Sequence, residues 1–132
     1  MKSWWWSRNI KWTALCAALA GLALLFPSHA IARRQPPVTN LTVLVIEQSS
    51  HKPIFQAHLT LQFRDPKSRL GKVISYSAKT NLQGEYKFNF IPKEAVFLIV
   101  TAPNHQTLGK RFQVAQDNQL IQVELRRPQP LR

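Results

Sequence analysis

The side chains best suited to acid–base or nucleophilic chemistry are His51, His58 and His105, the serines Ser49, Ser50, Ser68, Ser75 and Ser77, and the carboxylates Asp65, Glu94 and Asp117. Two imidazoles reach one metal ion most readily when they sit two or four residues apart on one strand or helix, and no pair here has that spacing. Nor does an acid stand beside any of the three in sequence. A nucleophilic serine needs a base and an orienting acid brought to it in space. These serines fall in turns or along a strand-like run, with no sharp turn to present a hydroxyl. No glycine-rich phosphate loop exists. The expectation is a protein without catalytic residues, metal or cofactor.

Charge is the stronger signal. The chain has 18 Lys and Arg against 6 Asp and Glu. The basic residues gather in three places: Arg64, Lys67, Arg69 and Lys72; Lys110 and Arg111; and Arg126, Arg127 and Arg132. Such a balance favours an anionic partner through long-range attraction, and says nothing about fold. The eight residues from Arg64 to Lys72, Lys110 to Arg111 and Arg126 to Arg127 form the candidate anionic-ligand patch. A merely solvated surface is the alternative reading.

The partner class depends on where the chain goes. Lys2, Arg8 and Lys11 precede an apolar run from Thr13 to Phe26, which Pro27 breaks, and Ala30 and Ala32 put small residues where a signal peptidase cuts. Residues 1–32 therefore read as a cleaved export signal, with the mature chain periplasmic or secreted. The run of 14 residues is shorter than the roughly 20 that span a bilayer. Trp4, Trp5, Trp6 and Trp12 would suit an interface if the segment were kept as an anchor. A lipidated cysteine is not expected, because Cys16 follows Leu15 near the start of the run. Cleavage removes the only cysteine, so the mature chain has no thiol for a disulfide or a metal. It also removes three of the 18 basic residues, and the remaining 15 against 6 leave +9. An exported basic module fits an acidic glycan or lipid headgroup, or a protein partner, and not nucleic acid.

The elements that must position these groups are all strand-like. Residues 33–40 form a proline-containing extended lead-in. From Val38 to Gln48 the chain is β-branched, with Leu41, Val43 and Val45 facing one way and Leu44 and Ile46 the other, so both faces are expected to be covered. Leu59, Leu61 and Phe63 alternate with Thr60, Gln62 and Arg64, the pattern of a half-buried strand. Ile74, Tyr76 and Ala78 repeat it, and Tyr86, Phe88 and Phe90 are expected to point into a core. Ala95 to Ala102 is apolar throughout but too short for a helix, which predicts a central strand. Lys110–Val114 and Ile121–Leu125 complete seven runs, ahead of a basic tail, 126–132. No mature segment keeps a helical period. The fold class is all-β: a seven-stranded, two-sheet antiparallel sandwich behind a signal helix.

The order of these signals resembles the carboxypeptidase regulatory-like domain, a sandwich of transthyretin-like or prealbumin-like topology, over residues 41–125. The resemblance rests on Leu41 to Glu47, Lys52-Pro53, Ala57 to Phe63, Asn81 to Gly84 with Tyr86 and Phe88, Ile91-Pro92, and Phe97 to Ala102. His51 stands where the family has a glycine in its first turn, and Asn104-His105 where it has Gly-Tyr. Asparagine tolerates the left-handed backbone such a turn requires. Two enzymes with similar topology are excluded by their hallmarks. A hydroxyisourate hydrolase resembles Leu-Thr-x-His at its opening strand and ends Tyr-Arg-Gly-Ser, whereas this chain has Leu41-Thr42-Val43-Leu44 and Arg126-Arg127-Pro128. An intradiol dioxygenase holds iron with two tyrosines and two histidines in a larger chain, whereas Tyr76 and Tyr86 read as core residues.

The resemblance thus implies a non-catalytic accessory, adhesion or protein-assembly module at the cell envelope. Starch-binding-like relatives make a carbohydrate-binding module the alternative. Such modules stack sugars on exposed aromatic rings; with Phe63, Tyr86, Phe88, Phe90 and Phe97 assigned to the core, Phe55 and Phe112 are the candidates left.

Overall fold

Leu59, Leu61 and Phe63 are buried while the residues between them are not, and this alternation sets the plan of the whole molecule. The computed structural model describes residues 34–131; the signal, its Ala30 and Ala32, and Cys16 lie outside them. Seven strands follow one another: β1 (Val38–Glu47), β2 (His58–Arg64), β3 (Val73–Lys79), β4 (Glu85–Pro92), β5 (Ala95–Thr101), β6 (Leu108–Gln113) and β7 (Gln119–Leu125). They form a three-stranded sheet in the order β4-β1-β7 and a four-stranded sheet in the order β3-β2-β5-β6. Each sheet must bury one apolar face, and they do so against each other. Leu41, Val43 and Val45 of β1 meet Leu59 and Leu61 of β2 and Leu98 and Val100 of β5 in one core.

The expected central strands are central. β1 lies between two neighbours, and Ile46, on its other face, is buried as well. The two-sheet sandwich is correct, but the all-antiparallel expectation needs one correction. β7 runs parallel to β1, from Leu41 beside Gln119 to Glu47 beside Leu125. Antiparallel neighbours can be joined by a tight turn, whereas a parallel pair needs a long crossover, here the whole of the intervening chain. The result is consistent with a prealbumin-like sandwich.

The aromatic strand is the second correction. Only Phe88 of the expected trio is buried; Tyr86 is 39% exposed and Phe90 77%. Leu41 stands opposite Phe88, yet Thr39 stands opposite Ile91, so Asn40 faces two residues of β4. Such a bulge reverses the facing of everything beyond it. Phe90 turns outward with φ of 59°, and Ile91 takes the core position with no exposed surface. Tyr86 and Tyr76 also leave the core. Both are on sheet edges, β4 and β3, where only one neighbouring strand can cover them, and each leans edge-to-face on a buried phenylalanine, Tyr86 on Phe88 and Tyr76 on Phe63. Phe97 is half-buried on the outer face of β5, while Phe112 packs partly against the core.

The turns hold the sheets in register. His51 and Asn104, which stand where the resembled family has glycine, have φ of 54° and 57°, so the left-handed turns survive without it. Thr80 ties the ends of β2 and β3: its Oγ1 accepts from the Ala57 amide at 2.9 Å and donates to the Ile54 carbonyl at 2.6 Å. Gly84 brings its backbone against β1, and the Val45 amide donates to its carbonyl at 2.8 Å.

Candidate functional site

The three basic clusters come from different strands, and the sheet order decides which of them meet. Across the four-stranded sheet, Gln62 stands beside both Ser75 and Phe97, and Phe97 stands beside Arg111. Opposed residues in an antiparallel ladder share a face. Leu61 and Leu98 point into the core, so the row Ser75, Gln62, Phe97, Arg111 must point out to solvent. Arg64, two residues after Gln62, shares that face beside Val73.

Arg64 and Arg111 thereby line one open groove of about 580 Å³, together with Gln62, Val73, Glu94 and Phe97. Neither arginine forms an ion pair among the described residues. Each keeps its full set of donors, and a guanidinium offers them in a planar fork that matches carboxylates and phosphates. Lys67, Arg69 and Lys72 follow in the loop that joins β2 to β3 at this same end of the sheet. Among the described residues Glu94 is the one acid lining the groove, and its Oε1 is buried without a hydrogen-bond partner.

The other basic residues go elsewhere. Lys110 pairs with the inward-facing Leu98, so it belongs to the opposite side of the sheet, and its ammonium sits 5.6 Å from the centre of the Phe112 ring. Arg126 and Arg127 are at the far end of the molecule, where the Gln106 amide donates to the Arg126 carbonyl at 2.8 Å. The candidate patch is therefore split: Arg64 and Arg111 come together and the tail stands apart.

That far end holds a cluster not visible in the sequence reading. Glu47, with 8% of its side chain exposed, accepts from Ser50 Oγ on one carboxylate oxygen and from Arg127 Nε on the other. His105 Nε2 lies 3.5 Å from the same oxygen as Arg127, while its Nδ1 donates to the Pro103 carbonyl at 2.8 Å. Sequence reasoning missed it because 80 residues separate Glu47 from Arg127; the buried acid at the end of a β-branched run was the only signal. A serine, a histidine and a carboxylate are present, but their order is wrong for nucleophilic catalysis. The histidine would have to stand between hydroxyl and carboxylate, whereas here the carboxylate occupies the middle. The Ser50 hydrogen bond, then that from Arg127, holds the Glu47 carboxyl below its ordinary value, which makes it a weak base. The cluster clasps the tail. His51 and His58 join neither site, and no three His, Cys, Asp or Glu gather as metal ligands among the described residues.

No family model matches the sequence, and no curated protein matches it. Solved structures do. The chain is similar to a Streptococcal ancillary pilin, with TM-score 0.53 and 11% identity over 70% of this chain and 30% of that one. It is similar to the Bacillus anthracis TIE protein, with TM-score 0.50 and 15% identity over 68% and 17%. A DUF3823 family protein from Bacteroides uniformis gives TM-score 0.50 and 11% identity over 67% and 43%. The chain spans less than half the length of each. At these identities the likeness concerns the β-sandwich fold.

Proposed function

We propose that this chain is an exported, non-catalytic binding module of the cell envelope, and that it docks on an anionic partner through the outer face of its four-stranded sheet. One observation carries the reading. Two arginines that are far apart in sequence share an open groove, and neither has a carboxylate partner among the described residues. Exposed guanidiniums left unpaired on a rigid sheet are poised for an outside anion. Membership of the carboxypeptidase regulatory-like family, proposed from the order of motifs, agrees with this role, as does the sandwich fold shared with a pilin. Export rests on the segment 1–32, and the exported protein should begin at Arg33; an N-terminal sequence that starts elsewhere would refute that boundary.

The docking reading is tested by binding the full chain to neutral glycans, acidic glycans and phosphatidylglycerol vesicles at two salt concentrations. The expected result is binding to acidic members only, weakening as salt rises from about 0.1 to 1 M and the screening length falls from about 10 to about 3 Å. The Arg64→Ala/Arg111→Ala chain should lose it. Binding that resists salt, or survives the double substitution, overturns the reading.

A further inference from the structure

The groove contains more than positive charge. Phe97 stands on β5, between the strands that carry the two arginines, and turns its ring tip toward Gly109 of β6, where an added Cβ would come within 3.2 Å of it. Having no side chain, Gly109 lets the ring lie down along the sheet, as a glycine in a strand does where another group must approach closely. The ring is half-buried, so part of it remains open to the groove. Gln62 beside it offers an amide with both donors and an acceptor. Glu94 adds an acceptor carboxylate to the groove wall.

A phosphate or sulfate would satisfy the arginines but leave Glu94 with only repulsion. The combination of guanidinium donors, an apolar ring and an acceptor carboxylate instead matches a ligand carrying a carboxylate, polarised C–H groups and hydroxyls together. We propose that the groove takes a uronic-acid unit of an acidic polysaccharide. Its carboxylate lies on Arg64 and Arg111, its C–H face on the negative face of the Phe97 ring, and a hydroxyl donates to the Glu94 carboxylate. This rests on the docking reading above and narrows it from any anion to one sugar class. The row from Ser75 to Arg111 crosses four strands, about 14 Å at ~4.8 Å per strand, which leaves room for neighbouring units of a polymer.

The test is calorimetric titration of the full chain with oligogalacturonate, its carboxyl-reduced neutral counterpart, and phosphatidylglycerol vesicles. Oligogalacturonate should bind and the reduced oligomer should not. Glu94→Gln, which keeps shape but weakens the acceptor, and Phe97→Leu, which keeps bulk but removes the ring, should each lower oligogalacturonate affinity about tenfold, as expected for one lost charge-assisted or stacking contact. Vesicle binding should not weaken in either. If both variants bind oligogalacturonate as the parent does, or Glu94→Gln binds it more tightly, the uronate proposal fails. With Arg64→Ala/Arg111→Ala still losing its binding, the docking reading would survive that failure. If the double-arginine variant loses nothing, both fall.

Discussion

Arg127 donates to Glu47 across 80 residues of sequence, pinning the start of the tail to the end of β1. The donor is 71% exposed and the acceptor 8%, so the guanidinium covers a carboxylate that is already out of water. Ser50 and His105 complete its surroundings.

The first expectation concerns acid. Hydrogen bonds from Ser50 and then Arg127 lower the Glu47 pKa from its ordinary 4.5. A depressed folded value means that the contribution is fully present above the unfolded value and is lost as pH falls through the folded one. Thermal melts of the parent and Glu47→Gln should differ at neutral pH, with the variant less stable, and converge as pH drops below 4.5. A gap that stays constant to pH 3 would show that the carboxylate charge is not what stabilises this end.

Thr80 is 2% exposed, and its hydroxyl serves two backbone groups at once. Thr80→Val keeps the shape but leaves the Ala57 amide and Ile54 carbonyl without that partner. Chemical denaturation should show a loss of about 1–3 kcal/mol for the orphaned buried groups.

Gly84 and Gly71 both have positive φ, 74° and 68°, but their surroundings differ. An added Cβ at Gly84 would sit 2.6 Å from the Val45 carbonyl and 2.8 Å from Pro53, whereas Gly71 has open space. Gly71→Ala should lower stability by about 1–2 kcal/mol from backbone conformation alone. Gly84→Ala should lose distinctly more, because the clash is with backbone that cannot move away. Equal losses in equilibrium unfolding would show that the close approach is unimportant.

Phe90 combines a left-handed backbone with 77% exposure. Asparagine adopts that conformation more readily, so Phe90→Asn should raise stability by about 1 kcal/mol. A fall in melting temperature would show that the exposed ring contributes more than the strain it carries.

The alternation of β2 and β7 and the apolar run of β5 were legible because burial there follows directly from residue order. β4 was not. One additional residue opposite Asn40 changes which side chains face the core, and nothing local distinguishes Tyr-Lys-Phe-Asn-Phe with a bulge from the same sequence without one. The basic residues could be counted in sequence, but only the order β2-β5-β6 puts Arg64 near Arg111 and sends Lys110 to the other side. The Glu47 clasp was hidden for the same reason, since a parallel partner for β1 can come from anywhere later in the chain.

That parallel pairing also orders events in time. β1 is synthesised first among the strands and β7 last, yet they form adjacent rungs of one sheet. A chain that emerges from its N-terminal end presents one backbone edge of β1 long before the strand that pairs with it has appeared. The three-stranded sheet therefore cannot be completed vectorially, and such long-range closure is slow. Until Leu125 is out, one edge of β1 stays open to chaperones or to a neighbouring chain.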